Sequence, residues 1–139
     1  MIFRICLITI LLILPSALKA NTKYFNQGLS LYKIKKFNEA KFKFEQDLIY
    51  NPKSEMSYFY LSKIFKNLEN KELEEQNLNT VILLNPKNEE AILNLAKLKL
   101  ETSDYKGSRE LNERLINLCK KFCDQSKKLK IEIENLSKK

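Results

Sequence analysis

The tripeptide Asn-Pro-Lys occurs twice, as Asn51-Pro52-Lys53 and Asn85-Pro86-Lys87. Proline cannot continue a helix and pushes the residue before it out of the helical region. Each tripeptide therefore ends one helix and sets the next at an angle. The interval from Pro52 to Pro86 matches a helix–turn–helix repeat of about 34 residues, and such units stack into a solenoid in which each touches only its neighbours.

Small and apolar residues recur in register between these breaks. The first unit carries Tyr24-x2-Gln27-Gly28-x2-Leu31, Tyr32, Phe37, Ala40-x3-Phe44, Leu48 and Pro52. Gly28 and Ala40 are small where two antiparallel helices would cross closely, and Tyr24, Leu31 and Phe44 would fill the space around the crossing. The second unit keeps Tyr58-x2-Leu61-Ser62-x2-Phe65, Leu78, Val81, Leu84 and Pro86. The third keeps Ile92-x2-Leu95-Ala96, Tyr105, Ser108 and Leu115.

This pattern resembles the tetratricopeptide repeat (TPR) family. The resemblance implies an all-α, right-handed superhelical stack of three repeats, 21–54, 55–88 and 89–122, closed by a capping helix in 123–139. The chain departs from the family pattern at Lys71, where an aromatic is usual, and at Glu74, where alanine is preferred. Leu73 is expected to take over part of that packing. The third repeat has Asn112 where Phe44 stood and lacks the closing proline. After it, Phe122, Leu129, Ile133 and Leu136 form one stripe at helical spacing, with Asp124 available as an N-cap.

The first twenty residues differ from the rest. One cation, Arg4, precedes an apolar run from Ile5 to Pro15, and Ser16-Ala17-Leu18-Lys19-Ala20 supplies small residues. This is the plan of a secretory signal peptide, since a spanning helix needs about 20 apolar residues. We expect cleavage after Ala20, with an uncleaved membrane anchor as the alternative. Cys6 stands too early in the run for a lipid-modified cysteine and is expected to be discarded with it.

The part from Asn21 carries 23 basic and 17 acidic residues, a net charge of +6 over 119 residues. Of the 25 basic residues in the whole chain 22 are lysine, and asparagine and isoleucine are also abundant, as an AT-rich coding bias alone would give. Export would also separate the chain from nucleic acid, so we expect no nucleic-acid partner; an anionic envelope surface suits the charge better. The sequence has no histidine and only two glycines. Histidine-based acid–base chemistry, Ser–His triads and His-ligated metals are thereby excluded, and neither glycine belongs to a phosphate-cradling loop. No residue set supports catalysis, so the expectation is a non-enzyme without cofactor or metal.

Cys119 stands where Asn51 and Asn85 stood in the earlier boundaries, and it opens a Cys119-x3-Cys123 pair. In an oxidising compartment a disulfide tying the last repeat to its cap is expected; two reduced cysteines packed in the junction are the alternative. Two thiols without histidine leave a zinc site half empty, and the spacing is not the Cys-x2-Cys of a redox-active pair.

In the TPR family the first helix of each repeat lines the concave groove. Here that implies Phe25, Leu29 and Tyr32 from the first repeat, Met56, Phe59, Lys63 and Lys66 from the second, and Leu93, Lys97 and Leu100 from the third. Aromatic anchors near one end and lysines further along would suit a peptide with apolar and some acidic side chains. Phe25, Leu29 and Tyr32 could equally extend a small core. Some TPR domains clamp a C-terminal carboxylate with Lys, Asn and Arg; the matching positions here are Phe25, Leu29, Tyr60, Glu90 and Asn94, so no such clamp is expected. The sequence thus describes a periplasmic or secreted scaffold for a protein or peptide partner in the cell envelope. A membrane-tethered subunit and a cationic binder of anionic polymers are its rivals.

Overall fold

The computed structural model describes residues 23–138. Seven α-helices make up this part: α1 Lys23–Lys33, α2 Phe37–Tyr50, α3 Glu55–Asn67, α4 Lys71–Leu84, α5 Glu89–Glu101, α6 Tyr105–Leu118 and α7 Cys123–Leu136. The expected signal segment, residues 1–20, lies outside the described residues. No helix among the described residues is long and apolar enough to cross a membrane.

Local chemistry starts four of the helices. Ser54, Asn70, Asn88 and Asp104 each accept a hydrogen bond from the backbone N–H three residues on, satisfying a donor that a helix start leaves open. α7 departs from expectation. It begins at Cys123 with Phe122 at the cap position and no side-chain cap, so Asp124 lies inside the first turn.

The helices pair as α1–α2, α3–α4 and α5–α6, and α7 packs mainly on α6. Each turn inside a pair is closed by a non-glycine residue in the left-handed region: Lys35, Glu69 and Ser103, at φ 61°, 56° and 63°. They recur at the same interval as the two prolines. Next to each, Lys36, Asn70 and Asp104 donate their backbone N–H back to the carbonyls of Leu31, Phe65 and Lys99.

Three buried clusters run along the stack. The first holds Phe25, Ala40, Phe44, Leu61, Ile64 and Phe65; the second, Phe59, Leu78, Val81, Ala91, Leu95 and Leu98; the third, Ile92, Leu93, Ala96, Leu100, Leu115, Leu129 and Ile133. Each joins one repeat to the first helix of the next, as a solenoid requires. The Gly28 crossing is tight, since a Cβ there would lie 2.9 Å from the ring of the fully buried Phe44. Tyr24 and Leu31 are only half-buried, and Tyr24 stacks on the exposed Tyr50 instead of filling the core. Leu73 packs against the first cluster.

The departures of the third repeat are explained at its contact with α7. Asn112 is buried, donates to the Ser126 carbonyl at 3.1 Å and accepts from the Ser126 hydroxyl at 2.8 Å. A polar side chain replaces the aromatic because the helix it meets offers polar partners.

Candidate functional site

The first helices α1, α3 and α5 follow one another along the stack, joined by the Phe25–Tyr60 ring contact and the Lys63–Glu90 ion pair. α7 starts one repeat interval beyond α5 and occupies the place of a fourth, sharing the third cluster with Leu93 and Leu100. At Lys130 it carries a long cation where Gly28, Ser62 and Ala96 are small in the helices before it.

The groove residues proposed from the sequence divide into buried, half-buried and exposed positions. Phe25, Phe59, Leu93 and Leu100 are buried, with exposures of 6%, 5%, 3% and 8%. For Phe25 this is the core alternative, and for Phe59, Leu93 and Leu100 it corrects their expected place lining the groove. The reason is that Phe25, Phe59 and Leu93, one repeat interval apart, each sit in a cluster shared with the next repeat or α7, as does Leu100. Phe25 meets Phe44 and Tyr60 at centroid distances of 5.7 and 6.0 Å. Leu29 and Tyr32 are half-buried against the same cluster. Met56, Lys66 and Lys97 remain exposed.

Lys63 is half-buried and already engaged. Its ammonium lies 4.4 Å from the centre of the Phe59 ring and 2.9 Å from the Glu90 carboxylate, tying α3 to α5 across the groove floor. A cation held over an aromatic face and paired with a carboxylate is a structural contact first.

Tyr60, named above only as a departure from the carboxylate clamp, is the hub of the aromatic floor. Its ring stacks on Phe44 at 5.2 Å and meets Tyr32 edge-on at 5.1 Å. Nothing in the sequence marks it, because it falls outside the apolar stripe of α3. Ile131 is the other side chain missed. It lies on α7 in the row of Leu29, Lys63 and Lys97, one repeat interval after Lys97, and is 60% exposed. Its period with the earlier first helices was the available signal.

Charged ties set the helix junctions. Glu55 accepts from the side-chain amides of Asn85 and Asn88 at the second boundary. Glu89, its counterpart one repeat on, accepts the backbone N–H groups of Lys120, Lys121 and Phe122 at 2.9, 2.9 and 3.2 Å. These donors, those of Lys121 and Lys120 foremost, hold the Glu89 carboxyl below its ordinary range. Lys120 stands where Pro52 and Pro86 stood, and proline could not have given that N–H. Beside it the Cys119 and Cys123 sulfurs are joined, with their α-carbons 5.3 Å apart. Elsewhere Lys99 bridges Glu75 and Asp104, and its hydrogen bond to Glu75 raises its pKa.

Two hollows lie away from the groove set. One, of about 780 Å³, is an open depression on α1 and α2 lined by Lys23, Asn26, Gln27, Ser30, Leu31 and Lys43. The other, of about 260 Å³, lies between α6 and α7, with Arg109, Glu113, Lys130 and Glu134 in its wall. Among the described residues no group of three or more His, Cys, Asp or Glu could hold a metal ion.

No protein-family model matches this chain. No curated protein sequence matches it either. Solved structures do. The first TPR domain of Spaghetti (RPAP3), bound to an HSP90 peptide, superimposes with a TM-score of 0.74 at 15% identity, over 84% of this chain and 91% of that one. The Yersinia enterocolitica type III secretion chaperone SycD, in complex with a peptide of the translocator YopD, gives 0.72 at 12% identity, over 84% and 92%. The Sgt2 TPR domain from Aspergillus fumigatus gives 0.70 at 19% identity, over 84% and 81%. The chain has a tetratricopeptide-repeat fold.

Proposed function

We propose that this protein is an exported interaction scaffold that holds a peptide segment of a cell-envelope partner along its inner face. The observation that carries the reading is the set of exposed side chains on α3 and α5, Met56, Lys66 and Lys97, with Ile131 one repeat interval after Lys97 on α7. Apolar points separated by lysines suit a segment with apolar and acidic side chains. Similar folds have been solved with peptides bound, which supports the class of ligand. We assign no chemistry to the chain.

Selection of random peptides displayed on phage against the chain from Asn21 tests the reading. Enriched peptides are expected to be apolar and acidic, and to lose binding to a Met56→Glu/Lys97→Glu variant that keeps its circular dichroism. Binding that the variant retains would move the site off the inner face. Binding that collapses with modest added salt would favour the cationic surface reading instead. Export rests on the plan of residues 1–20, and intact mass tests it. A chain beginning at Asn21 supports a cleaved signal, whereas one retaining Met1 supports a tether.

A further inference from the structure

We propose that Cys119–Cys123, without the Cys-x2-Cys spacing of a catalytic redox pair, is instead a structural latch on α7, whose reduction by an external dithiol frees this helix from the stack and opens the far wall of the groove. The inference adds a control to the inner face described above, but it concerns α7 alone and is tested without any partner.

α7 is the last helix among the described residues and packs on α6 and, less, on α5. Three of its 14 residues, Ser126, Leu129 and Ile133, are buried, as many as in α2 and α6. A short helix packed at the end of the described stack depends on its junction, and such end elements open first. The earlier junctions carry proline, which stiffens the turn; here Lys120 replaces it and the disulfide closes the same turn covalently. What remains after reduction is Leu129 and Ile133 in the third cluster, the Glu89 carboxylate on three backbone N–H groups, the Asn112–Ser126 pair and the Arg109–Ser137 hydrogen bond.

The bond is also placed to be broken. Both cysteines are half-buried, and Cys123 is the first residue of α7. Attack by an external thiolate on the Cys119 sulfur releases Cys123 as a thiolate at the positive end of the helix dipole, with Lys120 and Lys121 nearby. That thiolate takes a proton. The second thiol of the reductant then displaces Cys119 from the mixed disulfide, and Cys119 leaves as a thiolate that is protonated in turn. Two electrons and two protons pass from the dithiol, which becomes a disulfide, to the two cysteines. Freed α7 would uncover Leu93, Leu100 and Leu115 and carry Ile131 away from the groove.

Peptide-resolved hydrogen exchange on the exported protein, purified without reductant and then treated with dithiothreitol, is the test. The mass before treatment should be two hydrogens short of the free-thiol chain. Reduction is expected to speed exchange in 123–136 by roughly tenfold or more while leaving 23–100 unchanged. A Cys119→Ser/Cys123→Ser variant should show the same pattern without dithiothreitol. Free thiols in the purified protein, unchanged exchange in 123–136, or faster exchange spread evenly over all helices would each overturn the latch. So would a serine variant whose α7 stays protected.

Discussion

Glu74 is buried at 4% exposure, at a helix-crossing position where the TPR pattern prefers alanine. Burial is the largest influence on its carboxyl and raises its pKa, partly offset by Lys66. A carboxyl whose pKa is higher in the folded state than in the unfolded one costs stability once it must ionise. The native protein should therefore lose stability as pH rises from the ordinary carboxylate range through the raised value. Glu74→Gln is expected to raise Tm by a few degrees at pH 8 and by little at pH 4, as read by thermal melts across pH. Asn112 and Ser126 make a different case, because each satisfies the other. Ser126→Ala should cost about 1–3 kcal/mol by stranding the buried Asn112 side-chain oxygen, whereas Asn112→Leu/Ser126→Ala should recover most of that loss in urea melts. Asn112 was visible in the sequence as a departure, but its partner was not, since 14 residues and a helix junction separate the two.

At the scale of the element, the turns inside the repeats use left-handed residues without glycine. Lys35, Glu69 and Ser103 repeat this conformation at the same period as the prolines. Sequence could place the turns between apolar stripes but not their backbone state, because no glycine marks it. Glu69→Gly should stabilise by about 0.5–1 kcal/mol in chemical denaturation, the relief of left-handed strain less the freedom glycine adds to the unfolded chain. The α6–α7 junction depends on Glu89, whose carboxyl is held low by backbone donors. A lowered carboxyl pKa contributes stability above the unfolded value and loses it as pH falls through the folded one. Glu89→Gln is therefore expected to lower Tm at pH 7, and the gap from the native protein should close on acidification. Melts at pH 7 and pH 3 check both halves; a gap that persisted at pH 3 would show that the charge is not what anchors the junction.

Over the whole molecule, the three clusters make stability and recognition separable. Phe25→Ala/Phe59→Ala would empty two clusters, each truncation costing about 3–5 kcal/mol, so that variant should unfold before it reports on binding. Met56→Glu/Lys97→Glu changes only exposed positions and should melt within about 0.5 kcal/mol of the native chain. Denaturation of the two pairs side by side distinguishes floor from surface. The repeat period, the all-α class and the helix breaks were legible in the sequence by itself. Proline spacing, small residues at crossings and apolar stripes are local signals that act within one helix or one turn. Which apolar stripe faces inward was settled only by the tertiary structure. Two adjacent stripes on α1 read alike in one dimension, and the position of α3 is what buries Phe25 and leaves Tyr24 at the edge. The same holds for Tyr60, Lys63 and Glu89, because their partners lie one repeat away and meet them only when the helices stack.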